Sequence, residues 1–173
     1  MRSRLLPSLF LPFVVAVVPA PVVVAQNASV ALFGTGCTFN SQPLAISVQG
    51  LPQLGTTFTI NYSGPNLNNQ LMIRPALALG LASTNIPIPM SILPTQPSGC
   101  TQWIVPELIS LMPTTPSGSF VTQVSVTIPN DPSLTGFVLT AQWLAIAVQC
   151  GIIPPCWLTA LPTSNAALLT VGI

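Results

Sequence analysis

Of the chain's 173 residues only five are charged, three Arg with one Glu and one Asp, and neither Lys nor His occurs, while half of the residues are hydrophobic. Binding nucleic acid requires several cations to neutralise phosphates, so that partner class is excluded, and electrostatic docking on anionic lipid fails on the same count. A length of this order suits one domain preceded by a short leader.

The leader comes first in chain order. Arg2 and Arg4 form a positive start, residues 5–24 are an almost unbroken apolar run, and Val23 and Ala25 place small residues where a signal peptidase reads. This predicts a signal peptide over 1–25, cleaved after Ala25. The alternative is a retained membrane anchor, since about 20 apolar residues can span a bilayer. Pro7, Pro12, Pro19 and Pro21 make a poor permanent helix. No Cys follows the cleavage point to carry a lipid, and no second long apolar segment predicts a membrane span in the remaining chain. The expected location is secreted, extracellular or in the cell envelope. Residues 26–173 are then one domain, long enough to bury about 68–70% of the surface exposed on unfolding. Its only charges are Arg74, Glu107 and Asp131.

Four of the 20 prolines lie in the leader, and the other 16 punctuate the remaining chain too closely for long helices. The apolar period is two. Strands are expected near Val30–Phe33 and over 44–48, where Leu44, Ile46 and Val48 share a face. Phe58, Ile60 and Tyr62 do the same between Thr57, Thr59 and Asn61. Residues 71–79 read as a strand with a bulge or edge at Arg74-Pro75, because proline cannot donate to a ladder. Further strands are expected near Met90–Leu93 and Gln102–Val105. Residues 120–128 alternate, with Thr122 as a polar exception on the inward face. Asp131 before Pro132 predicts an N-cap and a short helical turn at 132–135. Residues 137–148 are apolar on both faces, as in a strand covered on both sides. A last strand is expected near Ala166–Val171. Turns are signalled at Ser63-Gly64-Pro65-Asn66, Pro97-Ser98-Gly99, Pro116-Ser117-Gly118 and Pro129-Asn130-Asp131-Pro132. The whole predicts an all-β fold, a two-sheet antiparallel β-sandwich of about eight or nine strands.

Four Cys in an exported chain predict two disulfides with three possible connectivities. Cys150 and Cys156 flank Gly-Ile-Ile-Pro-Pro and suit a local clasp, which leaves Cys37 for Cys100. Without His or a CxxC spacing no metal site is expected. Nor is a cofactor: no phosphate-cradling glycine motif is present. General acid–base catalysis would have to come from Glu107 and Asp131 alone. Asp131 is better read as a cap, and Glu107 as a surface residue or the partner of Arg74. Without His and without a Gly-x-Ser-x-Gly elbow, no nucleophilic triad is available. The chain reads as non-enzymatic. Aromatic rings offer the remaining binding chemistry, because an exposed ring can stack on a sugar face. Trp143 reads as core, Trp103 is divided between core and surface, and Trp157, beside a turn, is the most exposed. Asn27-Ala28-Ser29 and Asn61-Tyr62-Ser63 match the glycosylation triplet, which is taken as chance.

Several short motifs occur in a fixed order: Gly34-Thr35-Gly36-Cys37, then Gly50-Leu51-Pro52-Gln53-Leu54-Gly55-Thr56-Thr57-Phe58, then Gly99-Cys100. Ile128-Pro129-Asn130-Asp131-Pro132-Ser133-Leu134-Thr135-Gly136 follows, then Ala141-Gln142-Trp143 and Ser164-Asn165-Ala166. Over about residues 33–172 this order resembles a family of exported bacterial β-rich modules that occur singly or at the C-terminal end of larger secreted proteins. The resemblance implies a Cys37–Cys100 bridge and supplies no catalytic residues. The extra Cys pair at 150 and 156 departs from the pattern. Two functions are expected to compete. One is a structural or adhesive module that meets a protein partner at the cell surface or in the matrix. The other is a carbohydrate-binding module that meets a polysaccharide through Trp157 and Trp103.

Overall fold

The computed structural model describes residues 26–39, 41–64, 71–112, 121–149 and 156–173. The predicted signal segment, Phe120, the turn at 116–118, Pro65-Asn66 and Cys150 lie outside them. The fold is all-β and antiparallel. In chain order the strands are β1 (Ser29–Phe33), β2 (Thr38–Phe39), β3 (Gln42–Pro43), β4 (Ala45–Gln49), β5 (Thr57–Ser63), β6 (Leu71–Gly80) and β7 (Ala82–Pro87). They continue with β8 (Thr101–Val105), β9 (Leu108–Leu111), β10 (Val121–Thr127), β11 (Val138–Gln149), β12 (Trp157–Ala160) and β13 (Thr163–Thr170). That exceeds the eight or nine expected, because short strands and hairpin arms with little alternation are included.

A large sheet runs in the order β1-β13-β11-β6-β9, with β12 joined to the far end of β11. A three-stranded sheet, β10-β5-β4, covers one face of it. The core between them is built from Leu44, Ile46, Phe58, Ile60 and Tyr62 on the small sheet and Leu77, Ala141, Trp143, Ala145, Ala147, Ala167 and Leu169 on the large one. The alternation read in β4 and β5 is thus the alternation between this core and solvent. Small residues do much of the facing. Five alanines of the large sheet, Ala160 of β12 among them, leave room for Trp143, whose ring lies tilted at 60° to Tyr62 with centroids 5.6 Å apart, within the range aromatic pairs prefer.

The other face of β11 is covered by the β7–β8 hairpin, where Ile104 packs with Ala78, Ala166, Phe33, Trp103 and Leu144. The cover is local: of the apolar residues on this face of β11, Leu144 belongs to that cluster, while Val138, like Phe137 just before the strand, stays exposed. The layer is partly polar. Buried Gln142 projects from β11, its Nε2 donating to the carbonyls of Thr101 (2.9 Å) and Ser164 (2.8 Å), while its Oε1 accepts from the Trp103 N–H at 3.0 Å. Thr140 donates to the carbonyl of Gly80, its partner on β6, at 2.8 Å and also reaches the carbonyl of Ala82, the first residue of β7, at 3.4 Å. These side chains connect the hairpin to the sheet where no strand ladder does.

One expectation is corrected, and one, a bulge or edge at Arg74-Pro75, is narrowed to the edge, since β9 pairs β6 only over Ala76–Leu79. Met90–Ile92 forms a 3-10 turn, not a strand; it is bracketed by Pro89 and Pro94, which leave a ladder no N–H at either end. The register of β6 against β11 runs unbroken through Arg74↔Ile146 and Pro75↔Ala145, with no bulge. Pro75 is tolerated because its backbone faces β9, where its carbonyl accepts from the Met112 N–H at 2.9 Å at the strand's end. The helical turn forms at Pro132–Leu134 with Asp131 as its cap.

The Cys37–Cys100 disulfide, 63 residues apart in sequence, joins the start of β2 to the start of β8. Thr163, the first residue of β13, seats both ends: its carbonyl accepts from the Cys37 N–H at 2.8 Å and its hydroxyl donates to the Thr101 carbonyl at 3.0 Å. Cys156 is also disulfide-bonded. Among the described residues no helix is long and apolar enough to cross a membrane.

Candidate functional site

The charged side chains come first, because chemistry would begin with them. Asp131 is exposed and its Oδ1 accepts from the Ser133 N–H at 2.9 Å. That backbone bond, aided by a side-chain bond to Ser133, holds its carboxyl below the usual aspartate range. Glu107 is exposed just before β9, where its N–H donates to the Leu79 carbonyl at 2.9 Å. Arg74 lies five residues further along β6, so Glu107 and Arg74 stand at opposite ends of β9 and do not pair within the molecule. The two carboxylates belong to different places: one at the edge of the large sheet, the other on a turn that leaves β10. Among the described residues no three His, Cys, Asp or Glu side chains gather where a metal ion could be held.

The three Trp divide by strand. Trp143 is wholly buried, its Nε1 without a hydrogen-bond partner. Trp103 is half-buried under the β1–β2 connection, and its Nε1 donates to the Thr35 carbonyl at 3.0 Å. A Cβ at Gly34, whose φ is +71°, would collide with the Trp103 ring, so this glycine makes space for the indole. Trp103 therefore acts as a peg between two loops. Trp157 opens β12, is 51% exposed, and stands beside Leu158, also exposed. The structure does not bring Trp103 and Trp157 into one platform: Trp103 is on β8 against the Ile104 cluster, Trp157 on β12 at the far end of β11.

The motif residues carrying the family resemblance are occupied with backbone. Asn165 Oδ1 accepts from the Ile46 N–H at 2.9 Å, tying β13 to β4 across the core. Ser164 Oγ accepts from the Trp143 N–H at 3.0 Å, where the β11–β13 register shifts between Gln142 and Leu144. The hydroxyl replaces the carbonyl that the bulge removes. A Cβ at Gly36 would meet the Leu44 carbonyl, so the chain there admits no side chain. These residues hold the frame and leave little free chemistry.

A feature the sequence reading missed is β9. All four of its residues are exposed, with Leu108 at 58%, Ile109 at 53% and Leu111 at 54%. It ends the large sheet, paired to β6 on one side and, among the described residues, open on the other. The available signal was a six-residue run, Glu107 to Met112, bounded by Pro106 and Pro113. Both its faces are apolar, which reads as buried although both are wet. Compared with protein families, curated proteins and solved structures, the chain gives no match.

Proposed function

We propose that this chain is an exported, non-catalytic module of the cell surface or extracellular matrix. It acts as a structural or adhesive element that binds other proteins through its strand edges, and it belongs to the family of exported β-modules that its motif order resembles. The observation that carries this reading is β9: an open strand edge with three large exposed apolar side chains, on a surface almost without charge. Open apolar edges add strands from partners, with main-chain bonds giving affinity and side-chain pockets giving selection. The Cys37–Cys100 bridge is compatible with an oxidising compartment.

Exposed Trp157 favours a second reading, carbohydrate binding by stacking on a single ring. Pull-down of the purified, oxidised protein on isolated cell envelopes and on insoluble polysaccharides separates the two. Retention on envelopes that is lost with Ile109→Lys and unaffected by Trp157→Ala supports the adhesive module. Binding to a defined glycan that disappears with Trp157→Ala, at unchanged melting temperature, replaces it with the carbohydrate reading.

A further inference from the structure

We infer that β9 pairs with β9 of a second copy of this chain, antiparallel about a two-fold axis through Ser110, extending the large sheet from one molecule into the next. This rests on the reading of β9 as an adhesive edge and names its partner. The register follows from the ladder. The Met112 N–H bonds to Pro75, so Met112, Ser110 and Leu108 turn their backbone groups toward β6. Successive residues alternate in that respect, and Ile109 and Leu111 therefore direct N–H and C=O to the open side. In a continued antiparallel sheet facing residues share a face, so positions of like parity must meet. Apart from the register about Leu111, which sets Ile109 against Pro113 and its missing N–H, two registers satisfy this. One sets Ile109 against Ile109 and needs the Glu107 N–H as an outer donor, but that group is already bonded to Leu79. The other sets Ile109 against Leu111 in both directions. It makes four main-chain bonds from groups that are free in the monomer.

The same register is complementary in charge. Met112 is level with Pro75 on β6, so Arg74 lies one residue past the end of β9, while Glu107 precedes the other end. Antiparallel pairing about Ser110 brings Glu107 of each copy to the level of Arg74 of the other, twice over. The two opposite charges that cannot meet within one molecule thus approach between two. Among the edges of the two main sheets β9 is where every side chain is exposed: β1 half-buries Val30 and Phe33, and β10 buries Thr122 and half-buries Val124 and Val126. The pairing is closed by its own symmetry and stops at two copies. So short an edge predicts a weak dimer, with a dissociation constant on the order of 100 μM.

The test uses the full oxidised protein. Ser110 stands on the axis as a non-hydrogen-bonded pair, with Cα atoms about 4.5 Å apart across the copies, inside the range a disulfide spans. Ser110→Cys is expected to oxidise to a covalent dimer. Adding Ile109→Lys, which leaves the β6 ladder intact, should slow that cross-linking about tenfold or more. In sedimentation equilibrium Glu107→Arg should weaken the dimer about threefold, and adding Arg74→Glu should restore it. A Ser110→Cys protein that stays monomeric, or cross-links equally fast with Ile109→Lys at unchanged melting temperature, overturns the proposal. Envelope retention of wild type and Ile109→Lys is read in parallel. Retention lost with Ile109→Lys in a protein that never dimerises sinks self-pairing and leaves the adhesive reading standing. A β9-dependent dimer that no envelope retains does the reverse.

Discussion

Gln142 is the residue on which the upper layer turns. It is buried on a central strand, yet both ends of its amide are matched: two donors to the Thr101 and Ser164 carbonyls, one acceptor for the Trp103 N–H. A buried amide is stabilising only while its bonds persist, and the groups left behind on its removal cost more than the bonds themselves contributed. Gln142→Leu, close in volume, is expected to lower stability by about 3 kcal/mol, chiefly by orphaning the Trp103 N–H. The check is the urea midpoint at constant m-value. Ser164→Ala acts through the same logic at the β11 bulge, leaving the Trp143 N–H without its acceptor. A loss of about 1–3 kcal/mol is expected there, with the Tyr62–Trp143 near-ultraviolet signal disturbed before the far-ultraviolet one. If Ser164→Ala were neutral, the hydroxyl would not be what satisfies the bulge.

At the scale of elements, the disulfide matters by what it joins. Cys37 enters the layer below through β2, Cys100 begins the hairpin above, and Thr163 bonds to the backbone at both. Closing 63 residues into a loop removes unfolded-state entropy of about 4 kcal/mol on the chain-entropy model. Cys37→Ser with Cys100→Ser is therefore expected to cost a large part of the molecule's stability. Thermal unfolding of the double variant, with fluorescence of Trp103 as a local reporter, measures it. The strands legible in the sequence are those with one wet and one dry face: β4, β5 and β10 alternate because two environments alternate along them. β11, doubly covered over its middle, was legible from its length and continuity. Strands that no such contrast marks were missed. β7 (Ala-Ser-Thr-Asn-Ile-Pro) has too few apolar residues to show a period, and β9 is apolar on both of its exposed faces. The candidate sites follow the same division. Exposed Trp157 was legible from its place beside a turn. The β9 edge was not, since being last in a sheet is a property of topology and leaves no local mark.

For the whole molecule, the scarcity of titratable groups makes stability against pH a sharp test. His and Lys are absent, and Cys37, Cys100 and Cys156 are held in disulfides, so no thiol there titrates. Asp131 is ionised more easily in the folded chain than in the unfolded one, because the Ser133 N–H bonds to the carboxylate. Its contribution is present above the unfolded aspartate pKa of about 3.9 and is lost as pH falls through the lower folded value. Tyr62 moves the other way: burial raises its phenol, so the folded chain keeps a proton that the unfolded chain releases. Stability is then complete below the unfolded tyrosine pKa of about 10 and declines as pH rises beyond it toward the folded value. Between these limbs the melting temperature should be level from about pH 5.5 to about pH 9, a range in which His would ordinarily act. Asp131→Asn should shorten the acid limb and Tyr62→Phe the alkaline one, each leaving the other in place. A midpoint shift of several degrees between pH 6 and 7 would contradict this account. The same scarcity bears on assembly: with almost no net charge to repel a second copy at any pH on the plateau, association is governed by apolar edges and by two charges at the ends of β9.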